Sequence, residues 1–319
     1  MSEANPQTRP VMSVAISAWS SGDGESLQRA LGILAQQDPT ITVNAESISG
    51  QTIIGGMGEM HLELFCARIL REYGIDIDVG KPTVIYLETL RIYAEAEGKY
   101  IRQVGGCGNY GHVKIRLEPN KTGEGVEFIN DIKGGAVPSE YFQPTEQGIR
   151  EALQSGVLGG YEVVDVKATF LDGSYHVVDS NEMAFRIAGS MACKEAMRKA
   201  SPVLLEPVMA VEVVVPEEYM GTTILELNAR RGRIEAIEHR ADSQAVKASV
   251  PLSEMLGYDR YVRSSTHGRG DHTIRFARYE EAPSRGEWGG DGPGVTSNKP
   301  KRPRGWVGSS AAKLDDEFD

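Results

Sequence analysis

The amino-acid sequence predicts an α+β protein of three modules. Two observations carry that prediction: the element order βαββαβ occurs near the start and again near the end, and a strand-rich stretch with two helices lies between them. A third observation limits the folded part, because apolar periodicity is lost from about Gly286 onward.

In the first module the apolar run Val11 to Ile16 reads as a strand, and Leu27, Leu31 and Leu34 fall on one face of a helix with Asp23 as the predicted N-cap. Strand candidates from Thr40 and from Gln51 follow, separated by a polar turn at Glu46 to Gly50. A second helix presents Leu62, Phe65, Cys66, Ile69 and Tyr73 at helical spacing, and Ile75 to Val79 closes the unit. The same order returns as strand Val208 to Val215, helix Glu218 to Asn228, strands Arg233 to His239 and Gln244 to Val250, helix Leu252 to Val262 and strand Thr273 to Tyr279. Each such unit is expected to form a four-stranded antiparallel sheet with two helices on one face, the ferredoxin-like arrangement.

The middle module reads as several strands with helices near Glu140 to Ser155 and Glu182 to Ala200, and with Gly-rich turns at Gly105 to Gly111 and Asp172 to Ser174. The predicted partition is therefore a leader over 1–9, ferredoxin-like modules over 10–83 and 206–285, the middle module over 84–205, and a disordered tail over 286–319. Seven Gly and three Pro among the last 34 residues, with KPKRPRG and a terminal DDEFD, lead to that expectation for the tail.

Composition narrows the function classes. Hydrophobic residues make up 40% and charged residues 25%, which suits a globular protein with real cores. No apolar run approaches a bilayer span and the start lacks a signal-peptide core, so a cytoplasmic location is expected. Cys66, Cys107 and Cys193 are far apart and suggest neither a disulfide framework nor a zinc site. The formal charge of −11 would repel a phosphate backbone, so nucleic-acid contact requires local basic clusters.

Six segments carry a resemblance to a known family: GQTIIGGMGEMHLEL from Gly50, VGKPTVIY from Val79, EGKYIRQVGGCGNYGHV from Glu97, DGSYHVVDSNEMAFRIAGSMA from Asp172, EEYMGTTILELNARRGRI from Glu217 and VPLSEMLGY from Val250. In order and spacing they resemble the third, fourth and fifth domains of bacterial elongation factor G, over about residues 10 to 280. The resemblance implies ferredoxin-like third and fifth domains flanking a ribosomal-protein-like fourth domain with a left-handed βαβ crossover. It implies a ribosome-binding role in moving tRNA and messenger, driven by GTP bound elsewhere. No GxxxxGK[ST] phosphate loop occurs here, and Asn298-Lys299-Pro300-Lys301 has Lys where a guanine-reading NKxD pattern needs Asp. The chain as given is accordingly expected to bind no cofactor or metal and to have no catalytic residue, with its nucleotide-binding half absent.

The resemblance places two loops of the middle module at the decoding centre, and maps them onto Gly105 to Gly111 and Asp172 to Asp179. Gly106, Cys107, Gly108, Asn109, Tyr110 and His176 are then the candidate tip residues, glycine allowing close backbone approach, Tyr110 stacking and His176 donating to phosphate or 2′-OH groups. Family members often carry Arg in place of Cys107, Gln in place of Asn109 and Gln in place of His267. Arg230, Arg231, Arg233, Arg263 and Arg269 form the candidate basic patch, which in the family faces the sarcin-ricin loop and the base of the ribosomal stalk. On the residues alone these arginines equally fit a solvated surface, and the glycines a simple hairpin.

Three further readings are compatible with the sequence. One is a relative that protects the ribosome from an antibiotic with the same loops, or a regulator acting without GTP. Another is a thiol enzyme pairing Cys107 with His112. Metal binding at Glu59, His61 and Glu63, or at His267, Asp271 and His272, lacks a recognised ligand spacing, so capping and domain contacts are expected there.

Overall fold

The computed structural model describes residues 9–45, 52–104, 107–240 and 242–283. The expected turn at Glu46 to Gly50, Gly106, and the tail from 286 lie outside the described residues. The chain divides into two compact units between Thr83 and Val84.

In the first unit, strand β1 (Met12–Ala18) alternates so that Met12, Val14 and Ile16 are buried. Helix α1 (Gly24–Gln37) covers them with Leu27, Ala30, Leu31 and Leu34. Asp23 does occupy its N-cap position but makes no side-chain cap; a 3-10 turn over Ser21–Asp23 precedes the helix, and Ser20 accepts from the Gly22 N–H instead. Strands β2 (Thr42–Ala45) and β3 (Thr52–Gly56) follow, then helix α2 (Glu59–Tyr73), which buries Leu62, Phe65 and Ile69. Gly74, at φ +65°, ends α2 in the left-handed conformation that glycine adopts without a Cβ penalty. Strand β4 (Ile77–Val79) completes the unit, and the two-residue strand β5 (Thr83–Val84) lies at its boundary. Strand order β2-β3-β1-β4 with antiparallel neighbours is the expected ferredoxin-like arrangement.

The second unit holds two sheets. After β6 (Leu87–Leu90), the hairpin of β7 (Ala94–Val104) and β8 (Cys107–Pro119) pairs along its whole length, up to Val104 opposite Cys107. Strand β9 (Val126–Asn130), helix α3 (Phe142–Gln154), strand β10 (Val166–Ser174) and helix α4 (Glu182–Lys199) complete a sheet of order β7-β8-β10-β9. Only β9 and β10 run parallel, joined through α3 as a βαβ unit. Ala184, Ala188, Ala192 and Ala196 recur every four residues on α4 and are fully buried. This small-residue ridge lets the helix sit close on the sheet: a Cβ on Gly98 would fall 2.0 Å from the Ala188 carbonyl oxygen, and one on Gly111 2.5 Å from that of Ala184.

The last sheet is built by β11 (Pro202–Val215), helix α5 (Glu217–Ala229), β12 (Arg233–Arg240), β13 (Ser243–Pro251), helix α6 (Tyr258–Ser265) and β14 (Asp271–Glu281). Its order β12-β13-β11-β14 repeats that of the first unit. Two details depart from the sequence reading. Strand β11 begins at Pro202 rather than Val208, so the expected boundary at 205/206 falls inside a strand whose first residues pair with β6. Pro207 is tolerated there because β11 changes neighbour at that point, from β6 up to Leu205 to β13 from Val208. The helix expected over Leu252 to Val262 instead splits into a 3-10 turn (Leu252–Met255) and α6, with Gly257 at φ +70° between them.

Candidate nucleic-acid interface

At one end of the middle sheet the β7–β8 hairpin lies beside the connection from β10 to α4. The Gly-rich stretch from Gly105 to Gly111, expected to be a loop, is strand from Cys107 onward; only the two positions 105 and 106 separate β7 from β8. The second loop turns at Val177–Asp179. A compact set of hydrogen bonds joins the two. Tyr110 N–H donates to the Asp179 carbonyl at 2.8 Å, and the Ser180 hydroxyl donates to the Tyr110 carbonyl at 2.9 Å while accepting the His176 N–H at 2.9 Å. Asn181 caps α4, accepting the Ala184 N–H at 2.9 Å, and its amide donates to Asn109 Oδ1 at 2.7 Å. Gly108 makes room for Asp179, whose carboxyl carbon lies 2.5 Å from where a Cβ would stand.

This bracket decides what is presented to solvent. The Tyr110 hydroxyl shares a hydrogen bond with Ser174 at 2.8 Å and Lys99 Nζ lies 5.9 Å from its ring centroid, so that ring is tethered. His176 projects, with its side chain 58% exposed and Nδ1 3.1 Å from Asp179 Oδ2. Beside it Val177 and Val178 are 86% and 82% exposed. Sequence reasoning missed these two valines and the bracketing pair Ser180 and Asn181. An N-cap signal was present in Asn181 ahead of Glu182, but nothing in the sequence marks two valines as outward-facing.

The five arginines do not form one patch. Arg230, Arg231 and Arg233 lie at the C-terminal end of α5, whereas Arg269 contacts Glu218 at 2.6 Å, in the first turn of the same helix. At 1.5 Å per residue the helix separates these groups by roughly 18 Å. Arg263, near Arg269, is in the last turn of α6 and pairs with Asp259 at 3.2 Å.

Their surroundings differ as well. Arg230 is mostly buried: it pairs with Glu226 at 2.7 Å, donates to the Glu254 carbonyl and lies over the rings of Tyr258 and Tyr261 at 5.1 and 5.6 Å. Arg231 reaches the buried Glu206. Burial disfavours its charge, but the hydrogen bond and charge of Glu206 and the charge of Glu254 outweigh that and hold its pKa above the ordinary arginine value. Arg233 is exposed and pairs with Glu280; burial raises that carboxyl, and bonds from Arg278 and Arg233 hold it below the usual range. Arg233, Arg263 and Arg269 are the exposed members of the five.

The chain's sequence matches one protein family along nearly its whole folded length. Residues 8–81 match the model for elongation factor G domain III, 82–201 that for elongation factor G domain IV, and 203–286 that for the elongation factor G C-terminus. The chain belongs to the elongation factor G family. A crystal structure of a protein from Thermus thermophilus is similar at 40% sequence identity and a TM-score of 0.65, over 86% of this chain and 41% of that one. The chain thus spans less than half the length of that relative.

In elongation factor G terms the tip belongs to domain IV and the arginines to the C-terminal domain. The thiol-enzyme reading does not survive the domain IV geometry. Cys107 and His112 are five residues apart on β8, which separates their Cα atoms by about 16 Å. The His112 ring is instead taken by the Ser174 hydroxyl at 2.9 Å and Glu97 at 3.4 Å. In domain III, His61 Nδ1 accepts the Met57 N–H at 3.1 Å, so Nε2–H donates to Asp38 at 3.0 Å. His267 and His272 lie against the rings of Tyr219 and Tyr258. Among the described residues no group of three or more His, Cys, Asp or Glu could hold a metal ion, and no helix is long and apolar enough to cross a membrane.

Proposed function

We propose that this portion of a translation elongation factor binds the ribosome and promotes tRNA–mRNA translocation when coupled to a GTPase half that binds GTP. The tip formed by His176, Val177 and Val178 carries the reading: three exposed side chains stand on a turn whose backbone is tied to both β8 and the cap of α4. Such a turn can enter an RNA-lined site without paying ordering entropy on arrival. Apolar and imidazole groups there can meet bases and sugars, and neither adds negative charge to a chain of net −11.

On this reading the tip addresses the tRNA–mRNA pair at the decoding centre, and the exposed Arg233, Arg263 and Arg269 address ribosomal RNA from the C-terminal domain. The protein would act in the cytoplasm. The chain contributes no catalytic group of its own; the nucleotide chemistry belongs to the GTPase half.

Chemical footprinting on purified ribosomes tests this. The chain should protect nucleotides of the decoding centre, and a Val177→Asp/Val178→Asp variant should lose that protection while retaining its melting temperature. Protection confined to sites remote from the decoding centre would exclude the tip assignment.

A further inference from the structure

Between α3 and β10 the chain runs Gly156-Val157-Leu158-Gly159-Gly160-Tyr161 around a single side chain, that of Glu88 on β6. Glu88 is fully buried. Its Oε2 accepts the Val157 N–H at 2.8 Å, its Oε1 accepts those of Gly159 at 2.9 Å and Tyr161 at 3.3 Å, and the Leu158 N–H lies 3.1 Å from both oxygens. Each of these groups is a donor, which suits the acceptor-only ionised carboxylate.

The loop's glycines are required by this wrapping. Gly156 is at φ +41°, and a Cβ there would lie 2.5 Å from the Glu88 carboxyl carbon and 2.3 Å from the Tyr161 carbonyl oxygen. Gly160 is at φ +79°. The Glu88 backbone is engaged from the same side, donating to the Glu162 carbonyl at 2.9 Å and accepting the Val164 N–H at 2.9 Å. By strand pairing, however, β6 belongs to the C-terminal sheet, through Pro202 to Leu205 of β11.

We infer that residues 156–161 form a backbone anion receptor whose occupant is the Glu88 carboxylate, and that this occupancy latches domain IV onto the C-terminal sheet. Four N–H groups converging on one point make a concave site for an anion, and leaving them buried without an acceptor is costly. The vacated receptor takes a small carboxylate such as acetate or formate.

The full chain with Glu88→Ala tests this by thermal denaturation. The variant melts lower than the parent by about 5 °C or more. Sodium acetate restores the loss saturably, and sodium chloride at equal ionic strength does not. Glu88→Gln also melts lower but gains nothing from acetate, because its amide fills the receptor and turns an NH2 toward donors. A Glu88→Ala variant that melts like the parent, or that responds alike to acetate and chloride, overturns the proposal. If Glu88→Ala does not fold, amide exchange in the parent decides. The Val157, Leu158 and Gly159 amides should exchange at least about tenfold more slowly than that of Gly160, which donates nothing to Glu88; equal rates overturn the receptor.

Discussion

Arg231 holds a left-handed backbone, at φ +60°, while its guanidinium pairs with Glu206, whose side chain is only 4% exposed. It stands just past the end of α5, where its N–H bonds the Asn228 carbonyl and the following Gly232 N–H bonds that of Leu227, a paired helix termination usually made with Gly in the left-handed place. Gly232 is needed one position later, since a Cβ there would fall 2.5 Å from the Leu227 carbonyl oxygen. His267 and Gly268 end α6 in the same way, with His267 at φ +53°.

Arg231→Ala should therefore cost about 3 kcal/mol, since it leaves Glu206 buried without its cation. Arg231→Gly loses the same pair but relieves the left-handed strain, and should be less damaging by roughly 1 kcal/mol. Urea denaturation of both variants checks the order. If Arg231→Ala has parental stability, the pair is not structural and Arg231 returns to the candidate RNA ligands.

Gly98→Ala should destabilise the second unit by about 3 kcal/mol, because its Cβ would meet a helix carbonyl that cannot move without displacing α4. Gly221→Ala on α5 is the contrast. Nothing lies within 4 Å of a Cβ there, so better helix propensity should stabilise by up to about 1 kcal/mol. Equal melting temperatures for the two variants would refute the close packing of α4 on β7.

Asp38 supplies a pH dependence in domain III. Burial pushes its carboxyl up, but hydrogen bonds from Thr40 and His61 outweigh this and hold it below its ordinary value of 3.8. A depressed carboxyl contributes stability above its unfolded pKa, and that contribution is lost as pH falls through the lower folded one. Asp38→Asn should thus be less stable than the parent at neutral pH, with the gap closing below about pH 3.8. Denaturation of the pair across pH 2 to 7 would show a constant gap if the carboxylate were not responsible.

Cys193 is fully buried, and burial pushes its thiol up to about 12; Cys66 is raised to about 12 by burial and by the charge of Glu63. Neither should react with a maleimide at neutral pH in the folded chain, and both should after unfolding. Mass spectrometry of labelled peptides gives the answer, and rapid native labelling of Cys193 would contradict its burial on the core-facing side of α4.

Much of the architecture was legible in the residues, and for a physical reason. Period-two alternation over Met12 to Ile16 and helical spacing of Leu27, Leu31 and Leu34 directly encode which face is buried. Strand β6 was not legible: four residues whose partner lies more than 100 positions away carry no local signature, and Glu88 within it reads as polar although it is fully buried. At the candidate interface, the sequence pointed to His176 but could not divide the arginines. ARRGR looks like one cationic run, yet helix-end geometry turns Arg230 and Arg231 inward and leaves Arg233 outward. Which way each guanidinium turns depends on carboxylates at Glu206, Glu226, Glu254 and Glu280, brought there only by folding.

That division sharpens the expected salt dependence. Replacing the exposed Arg233, Arg263 and Arg269 by Ala should weaken ribosome binding and flatten the slope of log affinity against log salt, by up to about one per lost phosphate contact. Folding should be little affected, since exposed ion pairs contribute little stability. An unchanged slope would leave these three as solvated surface.

Translocation itself is the most direct measure of the central proposal. In a chimera that supplies a GTPase half, His176→Ala should slow tRNA–mRNA movement while leaving melting temperature, ribosome affinity and GTP hydrolysis near parental values. The side chain is exposed, and the N–H groups of Val178 and Asp179 that its Nδ1 accepts, at 3.4 and 3.3 Å, are on an exposed turn where water can replace it, so that its removal alters stability by about 0.5 kcal/mol. Parental translocation rates in that variant and in Val177→Asp/Val178→Asp would contradict the role assigned to the tip.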